Sequence, residues 1–266
     1  MRGLRLPIEM GTVKKRLDVL LVERGLAESR AQAQALVLAG LVRGHDKPGH
    51  QVDPDVELDV ERPARFVSRG GEKLANALAQ LNVEVDGRDA IDLGASTGGF
   101  TDCLLQNGAA RVIAVDVGYG QLHPKLRADP RVVVLERTNA RELTELPFLP
   151  DLLVCDASFI SVRIVLPPVL RLLDEDWDAL VLVKPQFEAG RADVPQGGVV
   201  RDPAVRRRVL REVIDAALGW GATAVGVVDS GLPGPKGNRE FFVHLIHRDE
   251  AVLLDDIDDR IDTAVG

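Results

Sequence analysis

The stretch DLGASTGGF, residues 92–100, decides the fold because it joins the end of an apolar run to the start of a helical pattern. Its glycines, Gly94, Gly98 and Gly99, carry no side chains, so backbone N–H groups can approach a ligand closely. In a doubly wound sheet, ligands bind beyond the carboxyl ends of the strands, where the first strand meets the first helix. The stretch therefore predicts a ligand site at this turn.

Short β-branched runs alternate with helical stretches around and after this turn. The runs are AIDLG, RVIAVDVG, RVVVLE, DLLVCD, ALVLVKP, ATAVGVVDS and FFVHLIH. This alternation is typical of a mostly parallel sheet with helices on both faces. At 266 residues, of which 45% are hydrophobic, the chain is long enough for one large domain and a small one. We predict a doubly wound, Rossmann-like α/β sheet.

A small α+β domain is predicted before the sheet. Apolar residues at helical spacing after Lys14 stop at Gly25, and a second helix is predicted from Ser29 to Gly40. Residues 41–61 alternate apolar and polar around Gly and Pro, which predicts a β-hairpin or meander. The predicted segments are a flexible lead-in at 1–13, the small domain at 14–62, a linker at 63–69, the sheet domain at 70–248 and an acidic tail at 249–266. The tail is expected to be disordered or a weakly packed terminal helix.

The composition excludes several classes of protein. Cys103 and Cys155 are the two cysteines, which argues against a disulfide framework and a thiolate metal site, and no metal is predicted. No apolar run reaches the length of a membrane span, and the first residues lack the apolar core of a signal peptide, so we expect a cytoplasmic protein without membrane contact. The net charge is −8, but residues 249–266 contribute most of it, so the rest can carry basic faces.

Two acidic residues at strand ends indicate the charge of the ligand. Asp92 ends the first strand of the sheet domain, where a cationic group would bind, and Asp116 ends the second, where a carboxylate can bind two ribose hydroxyls. A positively charged nucleoside satisfies both acids, and we predict S-adenosylmethionine. Pyrophosphate is disfavoured because the loop lacks the Gly-x-Gly-x-x-Gly and Gly-Lys-Ser/Thr patterns. The alternatives are a nicotinamide cofactor and a turn whose glycines serve packing alone.

Four charged residues lie at the ligand-facing ends of the predicted elements: Lys73, Asp156, Lys184 and Glu240. Methyl transfer to a ribose 2′-hydroxyl needs a group that accepts the hydroxyl proton as the oxygen attacks the methyl carbon. We hypothesise that Lys184 is this acceptor and that Asp156 orients it. Lys73 and Glu240 would then position the hydroxyl.

Two parts of the chain resemble known domains. KRLDVLLVERGLAESRAQAQALVLAGLV, residues 15–42, resembles the RNA-binding domain named for ribosomal protein S4. The later sequence resembles the FtsJ-type ribose methyltransferases with their Lys-Asp-Lys-Glu tetrad, and the order of the two parts is that of the TlyA family, described both as hemolysins and as rRNA 2′-O-methyltransferases. Further matching stretches are VSRGGEKL, DLGASTGGFTD, VDVGYGQL, VVVLERTNAR, VKPQFE, GGVVRDP and PGPKGNREFF.

The resemblance implies a class I methyltransferase fold and methyl transfer from S-adenosylmethionine to cytidine ribose in the rRNA of small and large ribosomal subunits. It maps the tetrad onto the four charged residues above and puts Asn139 near the adenine. The predicted cofactor contacts are Asp92, Gly94, Ala95, Ser96, Thr97, Gly98, Gly99, Phe100, Asp116, Asn139 and Asp156. One departure is Phe66, where the family usually has Trp or Tyr, so any hydrogen bond from an indole or hydroxyl group in the linker is lost.

Basic residues around the first two helices, the linker and the third strand of the sheet domain predict a face that contacts RNA phosphates and continues toward the active site. They are Lys14, Lys15, Arg16, Arg30, Arg65, Arg69, Arg131 and Arg137. The alternative for each is a solvated residue in an intramolecular ion pair, which we favour for Arg206, Arg207 and Arg208.

Other functions remain open at this point. A base methylase is disfavoured because DASF, residues 156–159, replaces the Asn/Asp-Pro-Pro-aromatic motif of amine methylation. Cys103 and Cys155 are expected to be buried rather than nucleophilic. The remaining alternatives are a membrane-active hemolysin and an RNA-binding protein with an inactive methyltransferase fold. The sequence leaves the oligomeric state between a monomer and a weak dimer.

Overall fold

The computed structural model describes residues 13–61, 64–248 and 256–266. The chain divides between Ala64 and Arg65 into two compact units, a small one and a large one that contains the main sheet. The predicted lead-in at 1–13 lies outside the described residues except for Val13, as does the part of the predicted acidic tail at 249–255.

Two helices form the small unit's core where the sequence predicts them. Helix α1 spans Leu17–Glu23 and helix α2 spans Arg30–Leu38. The Ser29 hydroxyl accepts a hydrogen bond from the Gln32 backbone N–H at 3.2 Å and so caps the start of α2. The buried apolar residues are Leu17, Leu20, Leu21, Ala27, Ala33, Leu36, Val37, Val42 and Val52.

The residues after α2 differ from the predicted hairpin. Strand β1, Lys15–Arg16, pairs antiparallel with strand β2, Gln51–Val52, so the second strand returns to the start of the unit. Val42 and Val60 form an isolated antiparallel bridge. Proline cannot donate to a ladder, and Pro48 and Pro54 flank β2, which keeps the pairing short.

A sheet of seven strands lies at the centre of the described part of the large unit. The strands are β3 Asp89–Leu93, β4 Arg111–Val115, β5 Val132–Leu135, β6 Leu152–Cys155, β7 Trp177–Val183, β8 Thr223–Asp229 and β9 Phe241–His247. Their order is β5-β4-β3-β6-β7-β9-β8, and β9 runs antiparallel to both of its neighbours. Strand β4 lies on one side of β3 and strand β6 lies on the other, so the strand order reverses at β3. A crevice is expected at the carboxyl end of β3 for this reason. The predicted fold class is confirmed.

Helices cover both faces of this sheet. They are α3 Arg69–Leu81, α4 Gly99–Gln106, α5 Pro124–Arg127, α6 Val162–Leu170, α7 Pro185–Glu188, α8 Pro203–Leu218 and α9 Ile257–Val265. Apolar residues of α3, α4 and α5 form one buried cluster with the sheet, and those of α6, α8 and α9 form another. Among the described helices, none is long and apolar enough to cross a membrane.

Residues 256–266 pack against the domain. Ile257, Ile261 and Val265 recur at helical spacing on one side of α9 and are at most 3% exposed. The Arg239 guanidinium donates to the Ala264 carbonyl at 2.8 Å, near the end of the helix. Because its apolar face is buried, this part of the predicted tail is an integral part of the core.

The connector from residue 65 onward belongs to the large unit. Phe66 is 3% exposed, and its ring lies so close to Gly71 that a side chain at that glycine would collide with it. The Val67 N–H donates to the Asp102 carboxylate on α4 at 2.9 Å. These contacts fix the start of α3, which carries Lys73.

Candidate active site

A cavity of about 500 Å³ opens at the carboxyl ends of β3, β4 and β6. This is the crevice that the strand order predicts. The predicted cofactor residues that line it are Gly94, Ser96, Asp116, Asn139 and Asp156. Its wall also contains apolar side chains, among them Val117, Phe159 and Ile160.

Gly94 lies where the backbones of two strand ends almost touch. Its φ is +82°, a conformation that favours glycine. A Cβ at this position would lie 2.8 Å from the Asp156 carbonyl oxygen. The Asp156 N–H in turn donates to the Leu93 carbonyl at 2.9 Å, so both backbones are held at this spacing. Glycine is therefore required here, at the floor of the cavity.

The other glycines of the loop serve packing, which was the alternative reading of this stretch. A side chain at Gly98 would collide with Leu126, and one at Gly99 would collide with Ser68. Six predicted cofactor residues are not among those lining the cavity: Asp92, Ala95, Thr97, Gly98, Gly99 and Phe100. Gly94 and Ser96 of this turn line the cavity. Gly98 and Gly99, where the turn enters α4, instead pack against α5 and the start of α3.

Asp116 braces the loop from the end of β4. One carboxylate oxygen accepts from the Ser96 N–H at 2.7 Å and the other from the Gly118 N–H at 2.6 Å. Asn139 follows β5 and uses its side-chain oxygen to accept from the Arg141 N–H at 3.2 Å. Both residues lie at the cavity edge, with polar atoms available to a nucleoside.

Asp92 lies beneath the cavity and is fully buried. One carboxylate oxygen accepts from the N–H and the hydroxyl of Thr101 on α4, at 2.9 and 2.7 Å. The other oxygen has no hydrogen-bond partner in the structure. Burial raises the pKa of this carboxyl to about 7, and the nearby Asp156 adds to the increase.

We expect the raised pKa of Asp92 to make stability depend on pH. Between the ordinary pKa of about 4 and the folded value of about 7, folding takes up a proton, so this stability is complete below pH 4 and is lost as the pH rises toward 7. In Asp92→Asn, the melting temperature should therefore fall less between pH 5 and pH 8 than in the wild type, by roughly 5 °C. Parallel melting curves for the two proteins would contradict this.

The four predicted catalytic residues form two ion pairs. The Lys73 ammonium lies 2.5 Å from a Glu240 carboxylate oxygen, and the Lys184 ammonium lies 2.5 Å from an Asp156 oxygen. Val183 pairs with Phe241 across β7 and β9, so Lys184 and Glu240 occupy the next facing positions. The structure thus brings residues from four separate parts of the chain together at one edge of the sheet. Lys73, Lys184 and Glu240 are buried, and Glu240 keeps one oxygen without a partner.

Four neighbouring residues were missed by the sequence analysis. Ser158 accepts a hydrogen bond from the Lys184 ammonium at 2.7 Å, and Phe159, which is 89% exposed, lines the cavity. Phe187 and Glu188 follow Lys184 on α7 and contact the same loop as Phe159. DASF and VKPQFE are visible in the sequence, but nothing in their spacing shows that these two segments touch.

Both cysteines are buried, and burial raises the pKa of each thiol to about 12. Neither thiol is therefore suited to nucleophilic attack near neutral pH.

The predicted RNA-binding residues of the small unit are an exposed lysine and three residues that form ion pairs within the unit. Lys14 is exposed, whereas Lys15 forms an ion pair with Glu23 at 2.6 Å. Arg16 and Arg30 both bind the buried carboxylate of Asp18, at 2.9 and 3.0 Å, yet remain 42% and 55% exposed. Hydrogen bonds from Arg16, the largest influence, hold the pKa of Asp18 well below its usual range. These two arginines therefore have a structural partner as well as an exposed surface.

In the large unit, topology separates the predicted RNA-binding arginines. Arg131 precedes β5 and pairs with Asp129, so it lies at the amino edge of the parallel strands, opposite the cavity. Its predicted place on a face leading to the active site is wrong for this reason. Arg137 follows β5 and lies over the Tyr119 ring at 4.1 Å, on the cavity side. Arg65 lies over the ring of Phe66, and Arg69 is exposed at the start of α3.

Comparison with known proteins identifies both units. Residues 66–247 match the FtsJ-like methyltransferase family, and residues 15–43 match the S4 domain. The chain is 50% identical to YqxC of Bacillus subtilis, which is named as a candidate rRNA methyltransferase, over 89% of this chain and 87% of that protein. It is 47% identical to the 16S/23S rRNA (cytidine-2′-O)-methyltransferase TlyA of Mycobacterium tuberculosis, over 95% of this chain and 98% of that protein.

A solved structure agrees with this likeness. A protein of Streptococcus thermophilus described as a candidate hemolysin is 42% identical and has a TM-score of 0.72, with 96% of each chain covered. The hemolysin name belongs to that protein.

Proposed function

Since the chain belongs to the TlyA family, in which an S4 domain precedes an FtsJ-like methyltransferase domain, we propose that it methylates the ribose 2′-hydroxyl of cytidine in ribosomal RNA, with S-adenosylmethionine as the methyl donor. The observation that carries the proposal is the pairing of Lys73 with Glu240 and of Lys184 with Asp156. Lys184 and Glu240 face each other next to β7 and β9, which brings the two pairs together. Amine methylation typically uses an Asn/Asp-Pro-Pro-aromatic motif where this chain has DASF, and carbon methylation uses a cysteine nucleophile, whereas both cysteines here are buried.

The cavity suits this cofactor by the chemistry of its lining. A carboxylate at Asp116 can accept both ribose hydroxyls, and Asp156 gives the opposite wall a negative charge that suits a sulfonium and an ammonium. Gly94 leaves the backbone open at the floor between them. When bound, S-adenosylmethionine supplies the electrophilic methyl group.

The chain's own residues would then handle the proton of the substrate hydroxyl. In this proposal the Lys184 nitrogen accepts the proton, and the ammonium that forms is held by Asp156 and Ser158. Glu240 is fully buried and binds the Lys73 ammonium through one oxygen, so that Lys73 is held to donate a hydrogen bond to the ribose oxygen. Because three of these four side chains are buried and all four are paired, they lose little freedom when the hydroxyl is bound.

The proposal is tested by incubating the protein with labelled S-adenosylmethionine and, separately, with small subunits, large subunits and the RNA extracted from each. We expect label in the RNA of at least one intact subunit. A protein that binds the cofactor but labels no ribosomal RNA in any of the four reactions would contradict the proposal.

We expect Lys14→Glu to weaken binding to ribosomal subunits. Lys14 is exposed in the S4 unit, and one lost phosphate contact lowers the slope of log Kd against log salt concentration by about one. Arg131→Glu is the matched control because it makes the same charge change at the sheet edge opposite the cavity. Cofactor affinity should be unchanged in both variants. Equal slopes for Lys14→Glu and the wild type would exclude this residue from the RNA contact.

A further inference from the structure

Two neighbouring segments carry the groups proposed to act on the hydroxyl. The β6 loop, residues 156–161, contains Asp156, Ser158 and Phe159. The β7 segment, residues 184–188, begins with Lys184. Strands β6 and β7 are parallel neighbours, so both segments start at the same edge of the sheet.

The two segments are joined at three successive points. Next to the strands, the Lys184 ammonium contacts Asp156 and Ser158 at 2.5 and 2.7 Å. Further out, the rings of Phe159 and Phe187 pack with their centroids 5.1 Å apart. At the far end, the Glu188 carboxylate accepts from the Ser161 hydroxyl at 2.5 Å and from the Val162 N–H at 2.7 Å.

Glu188 is an unusual residue for this place. Its side chain is 1% exposed, and a buried carboxylate is costly unless hydrogen bonds satisfy it. At the start of α6 the Ser161 hydroxyl accepts from the Arg163 N–H at 3.2 Å, and Glu188 accepts from the Val162 N–H, so the glutamate also helps to cap this helix from another part of the chain. Arg163 approaches the Glu188 carboxylate at 3.4 Å and donates to the Glu188 carbonyl at 3.1 Å. The backbone and the side chain of Glu188 are therefore both bound to the start of α6, directly after the β6 loop.

The β6 loop also contains a strained residue. Phe159 has a φ of +65°, a left-handed conformation that costs a bulky residue of the order of 1–2 kcal/mol. Such a conformation persists when the surroundings hold it, and Glu188 anchors the chain two residues later, at Ser161. The loop lines the cavity from Asp156 to Ile160, so its path determines the shape of that wall.

We propose that Glu188 is a positioning residue that holds the β6 loop against the β7 segment. It thereby keeps Asp156 and Ser158 on the Lys184 nitrogen and keeps Phe159 at the cavity. This inference rests on the proposed function, and it adds a residue that touches neither the cavity nor the four tetrad side chains.

The test compares Glu188→Ala with Glu188→Gln and with Glu212→Ala. Glu188→Ala removes both hydrogen bonds and should lower kcat/KM on ribosomal subunits at least tenfold, whereas glutamine can accept from Val162, donate to Ser161 and restore most of the activity. Glu212 is the matched control because it also pairs with Arg163, at 3.1 Å, but lies on α8 away from the loop. It should stay within twofold of the wild type. Equal losses in Glu188→Ala and Glu212→Ala would overturn the proposal.

A double-mutant cycle with Phe159→Ala separates positioning from general stability. If Glu188 acts through the loop, kcat/KM of the double variant should be no more than about threefold below that of the less active single variant. If the two losses in kcat/KM instead multiply, the residues act independently and the proposal is overturned. If Glu188→Ala does not fold, Ser161→Ala, which removes one of the two hydrogen bonds, takes its place with an expected loss of about threefold. Wild-type activity in Ser161→Ala would then be the overturning result.

Hydrogen exchange of the backbone gives a readout that does not depend on activity. In Glu188→Ala, the amides of residues 157–162 should exchange at least tenfold faster than in the wild type, and the exchange rates in the rest of the chain should not change. In Glu212→Ala, the exchange rates of residues 157–162 should also stay as in the wild type. Unchanged exchange in this loop would overturn the inference even if the wild type methylates RNA. Faster exchange in a protein whose wild type labels no RNA would instead count against the proposed function alone.

Discussion

Lys184→Ala is expected to lower kcat for methylation of ribosomal RNA about a thousandfold, while the affinity for S-adenosylmethionine stays within about twofold of the wild type. The reason is geometric. Lys184 lies opposite Glu240 in the register of β7 and β9, and its nitrogen is fixed by Asp156 and Ser158. Rapid-quench turnover with saturating RNA measures the chemical step, and calorimetric titration measures cofactor binding.

Two controls make this result specific. Lys184→Arg keeps the charge and the ion pair with Asp156, but a guanidinium stays protonated and cannot accept a proton, so we expect it to be as inactive as the alanine variant. Lys125→Ala removes a lysine that is 68% exposed and should leave turnover unchanged. An active Lys184→Arg variant, or more than a tenth of wild-type turnover in Lys184→Ala, would remove Lys184 from the role of proton acceptor.

Gly94→Ala is expected to weaken cofactor binding at least about a hundredfold. The added Cβ would lie 2.8 Å from the Asp156 carbonyl oxygen, in a backbone conformation that already disfavours alanine. To avoid this collision, the ends of β3 and β6 must move apart, and these strand ends form the floor and one wall of the cavity. Equilibrium binding of S-adenosylmethionine, together with the melting temperature, gives the measurement.

Gly120→Ala separates the two causes of this loss. Gly120 has a φ of +70°, close to that of Gly94, but nothing lies within 4 Å of a Cβ there. Backbone strain without collision should leave cofactor affinity within about threefold of the wild type. If both variants bind equally weakly, the close approach to Asp156 is not what makes Gly94 necessary.

The sequence predicted the parts of the molecule that depend on local pattern. All of the predicted runs in the sheet domain are strands, since alternation between buried strands and helices appears directly in residue type. The tetrad residues were predicted from strand ends and family likeness, and they are paired in the structure. Their catalytic roles remain proposals.

What the sequence left out depends on contacts between distant residues. The loop's glycines look alike in sequence, but Gly94 faces the Asp156 backbone whereas Gly98 faces Leu126. Arg131 and Arg137 flank the same short strand, and only the strand direction shows that they lie at opposite edges of the sheet. The predicted tail was interpreted from the acidic composition of residues 249–266, although part of it forms α9, whose apolar residues are buried on one face. Glu188 was missed because its partners lie more than twenty residues earlier in the chain.

The most direct measurement is the position of the methyl group on the product. Ribosomal subunits are methylated by the wild-type protein, the RNA is digested to nucleosides, and mass spectrometry assigns the added methyl to the sugar or the base fragment. We expect 2′-O-methylcytidine, with the methyl on the sugar fragment, and none above background with Lys184→Ala. A methyl group on the base fragment would contradict the proposed deprotonation of a ribose hydroxyl by this cluster.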